Sequence, residues 1–254
     1  MIYYPISTLM LAGVREILII TTPHDKPQFV KLLRDGSDFG ISIEYATQVE
    51  PKGLAEAFTI GEDFLAGDTC LMILGDNIFH GVGMGNELVR ALPESGCHIF
   101  TYKVANPSEY GILTIDENQK PISIIEKPPI TNSNLAVTGI YFFDSRVSEL
   151  AKQIVPSARG ELEITSLIQK YLDLNELTFT QLTRGVAWLD TGRPKSLHDA
   201  ASFVRVIEDR TGLKIGCPEE IALGKGWITK SDVLKVAKKM HGSEYGAYLL
   251  TLAV

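Results

Sequence analysis

Cysteine is scarce, with Cys70, Cys97 and Cys217 the only three in 254 residues. They are too few and too scattered for a disulfide framework or a zinc site. Cys70 and Cys97 head apolar runs, where a thiol packs as a small hydrophobe. That usage fits a reducing, cytoplasmic setting. No apolar run is long enough to span a bilayer, which argues against a membrane partner. The opening MIYYPISTLMLAG lacks the basic flank of a signal peptide and reads as a packed amphipathic helix. Basic residues are outnumbered, 24 Lys and Arg against 31 Asp and Glu, for a net charge of -7. This balance argues against a nucleic-acid partner, because counterion release needs a basic surface, whereas one nucleotide needs only a few local cations. H-E-x-x-H, G-x-S-x-G and G-x-x-x-x-G-K-[ST] are absent and the five histidines are scattered, so nothing supports a nucleophilic triad or a P-loop.

What is present is an alternation of strand and helix. Residues 16–23 (EILIITTP) form a β-branched run closed by proline, and Asp25 can cap the helix that follows, to about residue 35. Residues 41–48 (ISIEYATQ) alternate apolar and polar, and residues 54–65 have helical spacing. TCLMIL, residues 69–74, is an unbroken apolar run that reads as a central parallel strand. A helix near residues 87–92 and a strand over 98–104 complete the series. From Tyr110 the texture changes to a hairpin turning at residues 116–120, a strand over 136–143 and a helix opening in 160–171. Then come an extended stretch over 177–189, a long helix over 194–210 and a tail with two short helical patterns, started at Pro218 and at Ser231-Asp232. The order predicts an α/β fold, doubly wound and mainly parallel (Rossmann-like), with residues 1–216 as the main domain and 217–254 as a small helical tail. Ligands of such sheets bind beyond the carboxyl ends of the strands.

Chemistry-bearing residues fall at those ends. Asp76 in LGDN and Asp190 in WLDTG each end an extended run before a helix or turn. Each suits a helix N-cap, and the two on one sheet edge would hold a divalent cation together with substrate phosphates. Glu126-Lys127-Pro128 ends a strand and reads either as a solvated ion pair or as a lysine for a phosphate beside a glutamate for sugar hydroxyls. Arg159-Gly160-Glu161-Leu162-Glu163 places a cation and two acids at a helix start, where acids favour the dipole in any case; the alternative gives Arg159 to a phosphate and Glu161 to a hexose. Gln48, near Gly53, can donate and accept at once, as the imide edge of thymine or uracil requires.

The ordered set LGDN, YGI, EKP, AVTGIYFFD, RGELEIT and AWLDTG resembles the sugar-nucleotide pyrophosphorylases, most closely the glucose-1-phosphate thymidylyltransferases. The resemblance runs from Met1 into the tail. It implies Mg²⁺-dependent transfer of a thymidylyl group from dTTP to glucose 1-phosphate, giving dTDP-glucose and pyrophosphate for dTDP-sugar and cell-surface polysaccharide synthesis. On that resemblance Asp76 and Asp190 bind Mg²⁺, and Gln48 and Gly53 meet thymine. Asn77, Gly111, Glu126 and Val137 line the glucose pocket, and Lys127 and Arg159 sit at its phosphate. Tyr141 and Trp188 are packing walls. Gly81 and Arg184 fall near a second site for a feedback dTDP-sugar, and a homotetramer is implied.

Two departures accompany the resemblance. Ser166 stands where the family's motif continues with aspartate. Family members also begin with a strand, a G-G-x-G-T-R-L loop and a lysine before K-P-M-I-Y-Y-P, whereas Met1-Ile2-Tyr3-Tyr4-Pro5 starts inside that stretch. The expectation is a nucleotidyltransferase sheet lacking its first strand, with unpaired backbone beside the ligand crevice and little or no transferase activity. The alternatives are a non-catalytic sugar-nucleotide-binding module and a truncated reading frame. Adenylyl, uridylyl and cytidylyl transfer share the architecture, and a metal-dependent glycosyltransferase shares the sheet type.

Overall fold

The computed structural model describes residues 1–91 and 95–253. Helix α1 (Tyr3–Leu11) is followed by β1 (Glu16–Thr21), α2 (Lys26–Leu33), β2 (Ser42–Thr47), the short helices α3 (Glu56–Ile60) and α4 (Glu62–Leu65), β3 (Cys70–Ile73), β4 (Asn77–His80) and α5 (Met84–Arg90). The second half runs β5 (Cys97–Lys103), β6 (Gly111–Ile115), β7 (Pro121–Glu126), β8 (Leu135–Phe143), α6 (Val147–Ala151), α7 (Ile164–Asp173), β9 (Leu177–Gln181), β10 (Ala187–Asp190) and α8 (Pro194–Thr211). Three helices close the chain: α9 (Pro218–Gly224), α10 (Lys230–Lys239) and α11 (Glu244–Ala253). The helix expected near 87–92 is α5; residue 92 lies outside the described residues.

The α/β class is as expected, and the strand pairing is mixed. β1 and β2 form a parallel pair, β4 and β10 an antiparallel pair, and six strands order as β7-β6-β8-β5-β9 with β3 also on β8. β8 is the spine. All nine of its residues are buried. Tyr141 and Phe143 point into a core with α3, α6 and α7, while Ile140 and Phe142 point into a second core with Phe79, Leu88 and Phe100. That is the period-two alternation of a strand covered on both faces. Each large side chain buried this way contributes roughly 1.5–3 kcal/mol.

β3 was expected as a central parallel strand. It instead pairs antiparallel with β8 on one side, and no strand of the described residues pairs with its other edge. An unbroken apolar run carries no information on strand direction, and all four residues of β3 are half-buried beside an open edge. β1 likewise pairs only with β2. Between these two open edges lies a cavity of about 1070 Å³, lined by Ile17, Leu18, Ile20, Phe58, Leu71 and Ile73 among others, with Gln48 and Gly75 on its wall.

Other differences are local. Asp25 precedes α2, but its side chain accepts from Thr22 Oγ1 (2.7 Å) and does not cap the helix. The 54–65 helix is broken at Gly61 into α3 and α4. The 177–189 stretch is two strands in different sheets. The tail has three helices, which pack with α1, β1 and β2 in one core through Ala222, Val233 and Leu249.

Candidate active site

β3 ends at Ile73, and a tight turn, closed by Asn77 N donating to Leu74 O (3.2 Å), delivers Asp76 before β4 begins. β4 pairs antiparallel with β10 so that Asn77 stands opposite Asp190. Thr191 locks the junction: its N–H and its hydroxyl both donate to Asp76 O, at 3.0 and 2.7 Å. The two acids, far apart in sequence, therefore converge. A point one bond beyond the Cα of Gly192 lies 3.2 Å from both Asp190 Oδ1 and Asp76 Oδ2.

Each carboxylate is lightly occupied. Asp76 Oδ1 accepts from Asn77 Nδ2 (2.8 Å), and Asp190 Oδ1 accepts from Gly192 N (2.9 Å). Among the described residues neither acid forms a salt bridge with a lysine or arginine. Two adjacent carboxylates with free lone pairs and no paired cation fit a hard divalent ion such as Mg²⁺. The described residues contain no cluster of three or more His, Cys, Asp or Glu able to hold a metal, so the rest of its shell would come from ligand oxygens and water.

Asn77 is 2% exposed and is fixed at both ends of its amide. Nδ2 donates to Asp76, and Oδ1 accepts from Trp188 Nε1 at 2.5 Å. Its carbonyl end lies over Gly139, where a methyl group would be 2.6 Å from Oδ1. Trp188, expected only as a packing wall, thus orients Asn77. It also packs on Tyr110 (5.2 Å) and Tyr102 (5.9 Å) between ring centroids. A sequence signal for this exists in hindsight: Trp188 and Asp190 are two apart on β10 and share a face.

Glu126 ends β7 opposite Gly111 of β6, and Lys127 follows it. Lys127 adopts φ 41°, an uncommon conformation for a residue with a side chain and before proline, and its N–H donates to Tyr110 O (3.0 Å). Glu126 Oε1 lies 3.8 Å from both Lys127 Nζ and Arg159 Nη1. Burial first, and then the charge of Glu163, push the Glu126 carboxyl above its ordinary value. Arg159 and Glu161 were expected at a helix start; α7 begins only at Ile164, so both lie in the preceding loop. There Arg159 contacts Glu161 (3.3 Å) and Glu163 (3.4 Å), and Ser157 Oγ donates to Glu163 (2.9 Å). The buried Glu163, read from the sequence only as the second acid of a helix start, organises this cation.

Gln48 follows β2 and donates Nε2 to Gly53 O (3.1 Å) and Glu56 Oε2 (2.7 Å). Gly53 has φ +113°, and a methyl there would be 2.4 Å from Leu162 O, so only glycine fits. Leu162 N donates to Lys52 O and Leu162 O accepts from Ala55 N (3.1 Å), which ties the Gln48 loop to the Glu161 loop. Burial first, and then the carboxylates of Glu126 and Asp76, push the Tyr141 hydroxyl upward. Val137 is buried in the same core as Tyr141. Gly81 packs against Gly185 and Val186, next to Arg184, and lines a separate cavity of about 170 Å³ with Tyr4, His80 and Lys214.

The profile of a nucleotidyl transferase family matches residues 1–206. The chain belongs to the nucleotidyl transferase family. Its relatives within that family are close. A glucose-1-phosphate thymidylyltransferase of Xanthomonas campestris pv. campestris is 50% identical over 254 residues, which is 100% of this chain and 86% of the relative. One from Mycolicibacterium smegmatis is 52% identical over 252 residues, covering 99% of this chain and 88% of the relative. In three dimensions this nucleotidyl transferase superposes on a Bacillus anthracis structure described as a glucose-1-phosphate thymidylyltransferase in complex with a sucrose. The TM-score is 0.73 and the identity 36%, over 80% of this chain and 82% of that one. A UDP-glucose pyrophosphorylase complexed with UDP-glucose shares the fold at TM-score 0.68 and 20% identity, over 81% of this chain and 86% of that one. The chain is thus an enzyme-family nucleotidyltransferase, and among the described residues no helix is long and apolar enough to cross a membrane.

Proposed function

We propose that the site serves glucose-1-phosphate thymidylyl transfer. A phosphate oxygen of α-D-glucose 1-phosphate bonds to the α-phosphorus of dTTP as the bond to the β-phosphate oxygen breaks, and pyrophosphate leaves. The observation that carries this reading is the convergence of Asp76 and Asp190 on one point at Gly192.

Asp76 and Asp190 would hold Mg²⁺, which when bound would supply charge neutralisation and alignment of the triphosphate. Asn77, oriented by Trp188, Gly111 and Val137 bound the hexose, with Glu126 and Glu161 accepting from its hydroxyls. Lys127 and Arg159 hold its phosphate; to do so Arg159 exchanges part of its contact with Glu161 and Glu163 for phosphate oxygens. With Gln48 Nε2 engaged by Gly53 and Glu56, Oε1 is left to accept from the imide N–H of thymine or uracil. Catalysis by these residues is positioning and charge neutralisation. A feedback dTDP-sugar would use the Gly81 and Arg184 side, in a homo-oligomer.

Calorimetry with dTDP-glucose and MgCl₂, run beside a pyrophosphate-release assay with dTTP and glucose 1-phosphate, tests the proposal. Asp76→Asn and Asp190→Asn should each weaken Mg²⁺-dependent binding by at least about tenfold. Binding without turnover would confine the chain to a sugar-nucleotide-binding module. Absence of binding, or indifference to both substitutions, refutes the site.

A further inference from the structure

The walls of the cavity between β1 and β3 are backbone edges. Ser42 N donates to Arg15 O (2.7 Å) and Gln48 N to Thr21 O (2.9 Å). In the alternation of a parallel ladder this turns the peptide groups of Ile17 and Ile19 toward β2, and those of Leu18 and Ile20 toward the cavity. On the opposite wall Leu74 N donates to Gly139 O (2.9 Å). Antiparallel alternation then turns Met72 toward β8, and Leu71 and Ile73 toward the cavity. No strand of the described residues pairs with either edge. Leu18, Ile20, Leu71 and Ile73 are half-buried along the cavity, and their outward backbone groups have no strand partner among the described residues; covering them dry would cost about 1–3 kcal/mol each.

The volume of about 1070 Å³ lies beyond the upper end of ordinary small-molecule pockets, roughly 300–1,000 Å³. Its side-chain lining is mostly apolar, with Leu9, Ile17, Leu71, Phe58, Leu65 and Met72, and carries Arg15, Glu16, Gln48 and Asp68 as well. The complement of two open ladders and an apolar lining is itself a strand, apolar on both faces.

We propose that this cavity is an acceptor slot for an extended apolar peptide strand, which pairs with β1 on one side and β3 on the other. The occupant joins the β1/β2 pair to the six-stranded sheet as one continuous layer. It also bears on the neighbouring site, because Gln48 and Gly75 both line the slot and β3 leads directly into the turn that carries Asp76. The inference stands on the open edges and does not depend on the transferase reading.

The test uses the whole chain and a synthetic peptide of about six alternating valines and isoleucines, with a lysine pair at each end for solubility. Titration calorimetry should give one bound peptide per chain. Amide hydrogen exchange should slow about tenfold or more at Leu18, Ile20, Leu71 and Ile73. A peptide N-methylated at alternate positions lacks one row of donors and should lose both effects. No binding, equal binding of the methylated peptide, or binding that leaves the four amides unchanged overturns the proposal. So does a peptide-free dimer, seen by sedimentation, that protects the same four amides, since the occupant would then be a second copy.

Discussion

Replacing Gly139 with alanine tests the site without removing any group that touches ligand. The new methyl would stand 2.6 Å from Asn77 Oδ1, 2.7 Å from Asn77 Cγ and 2.9 Å from Leu74 Cγ. Leu74 can yield by a rotamer change, but Asn77 cannot move freely, because its amide is held by Trp188 on one end and holds Asp76 on the other. Overpacking in a tight core costs about 1–3 kcal/mol, and stripping a buried amide of a partner costs about 1–3 kcal/mol more. We expect a loss of roughly 2–6 kcal/mol in stability, which for a chain of this length lowers Tm by about 4–24 °C. If about 1.4 kcal/mol of that displacement reaches the ligand, affinity for dTDP-glucose with MgCl₂ falls tenfold. A double-mutant cycle locates the cause. Calorimetry on Gly139→Ala, Asn77→Ala and the pair should show the added methyl costing less than about 0.5 kcal/mol of binding once the Asn77 side chain is gone. Wild-type affinity in Gly139→Ala, or additive losses in the pair, would refute the role given to Asn77.

Two further substitutions probe the frame of the site. Gly53→Ala combines φ +113° with a methyl 2.4 Å from Leu162 O, so it should break the tie between the 52–55 and 161–163 loops. The expected loss is at least about 2 kcal/mol, with weaker nucleotide binding, read by melting and calorimetry. His98 is buried between β5 and β9, bonded to Thr178 Oγ1 (2.8 Å) and Thr180 Oγ1 (3.1 Å), and burial pulls its imidazole down to about 4. Since the unfolded chain takes up this proton near pH 6.5 and the folded chain only near 4, stability should rise with pH across that window and be flat above it. The full span is on the order of 3 kcal/mol. Urea midpoints from pH 4 to 8 should show this slope, and His98→Gln should flatten it; an unchanged slope in the variant would exclude His98 as its source.

The strand-ending acids were the most readable part of the chain. Asp76 and Asp190 each follow an extended run, and strand ends are where α/β sheets meet their ligands. Their meeting required a pairing that local pattern does not encode, namely the antiparallel register of Asn77 with Asp190. The same gap explains β3, whose apolar run implied burial but not its single partner or its direction. Arg159 and Glu161 were read one turn too early into α7, because an acid-rich approach and a first helical turn have the same composition. The long reach of Trp188 to Asn77 and of Ser157 and Glu163 to Arg159 depends on side chains from distant or irregular segments, and periodicity is silent there. The third tail helix, α11, was missed; its Tyr245, Tyr248, Leu249, Leu252 and Ala253 pack into a core built with α1, α9 and α10, which local pattern does not show.

The knot of Thr191 with Asp76 O links points 115 residues apart along the polymer. A cation seated between the two acids would therefore behave as a clasp on more than a third of the chain, favouring the folded form by mass action. Ligand occupancy and structural integrity become a single equilibrium in such a molecule: whatever loosens the fold anywhere inside that span also releases the ion, and the ion in turn resists the loosening.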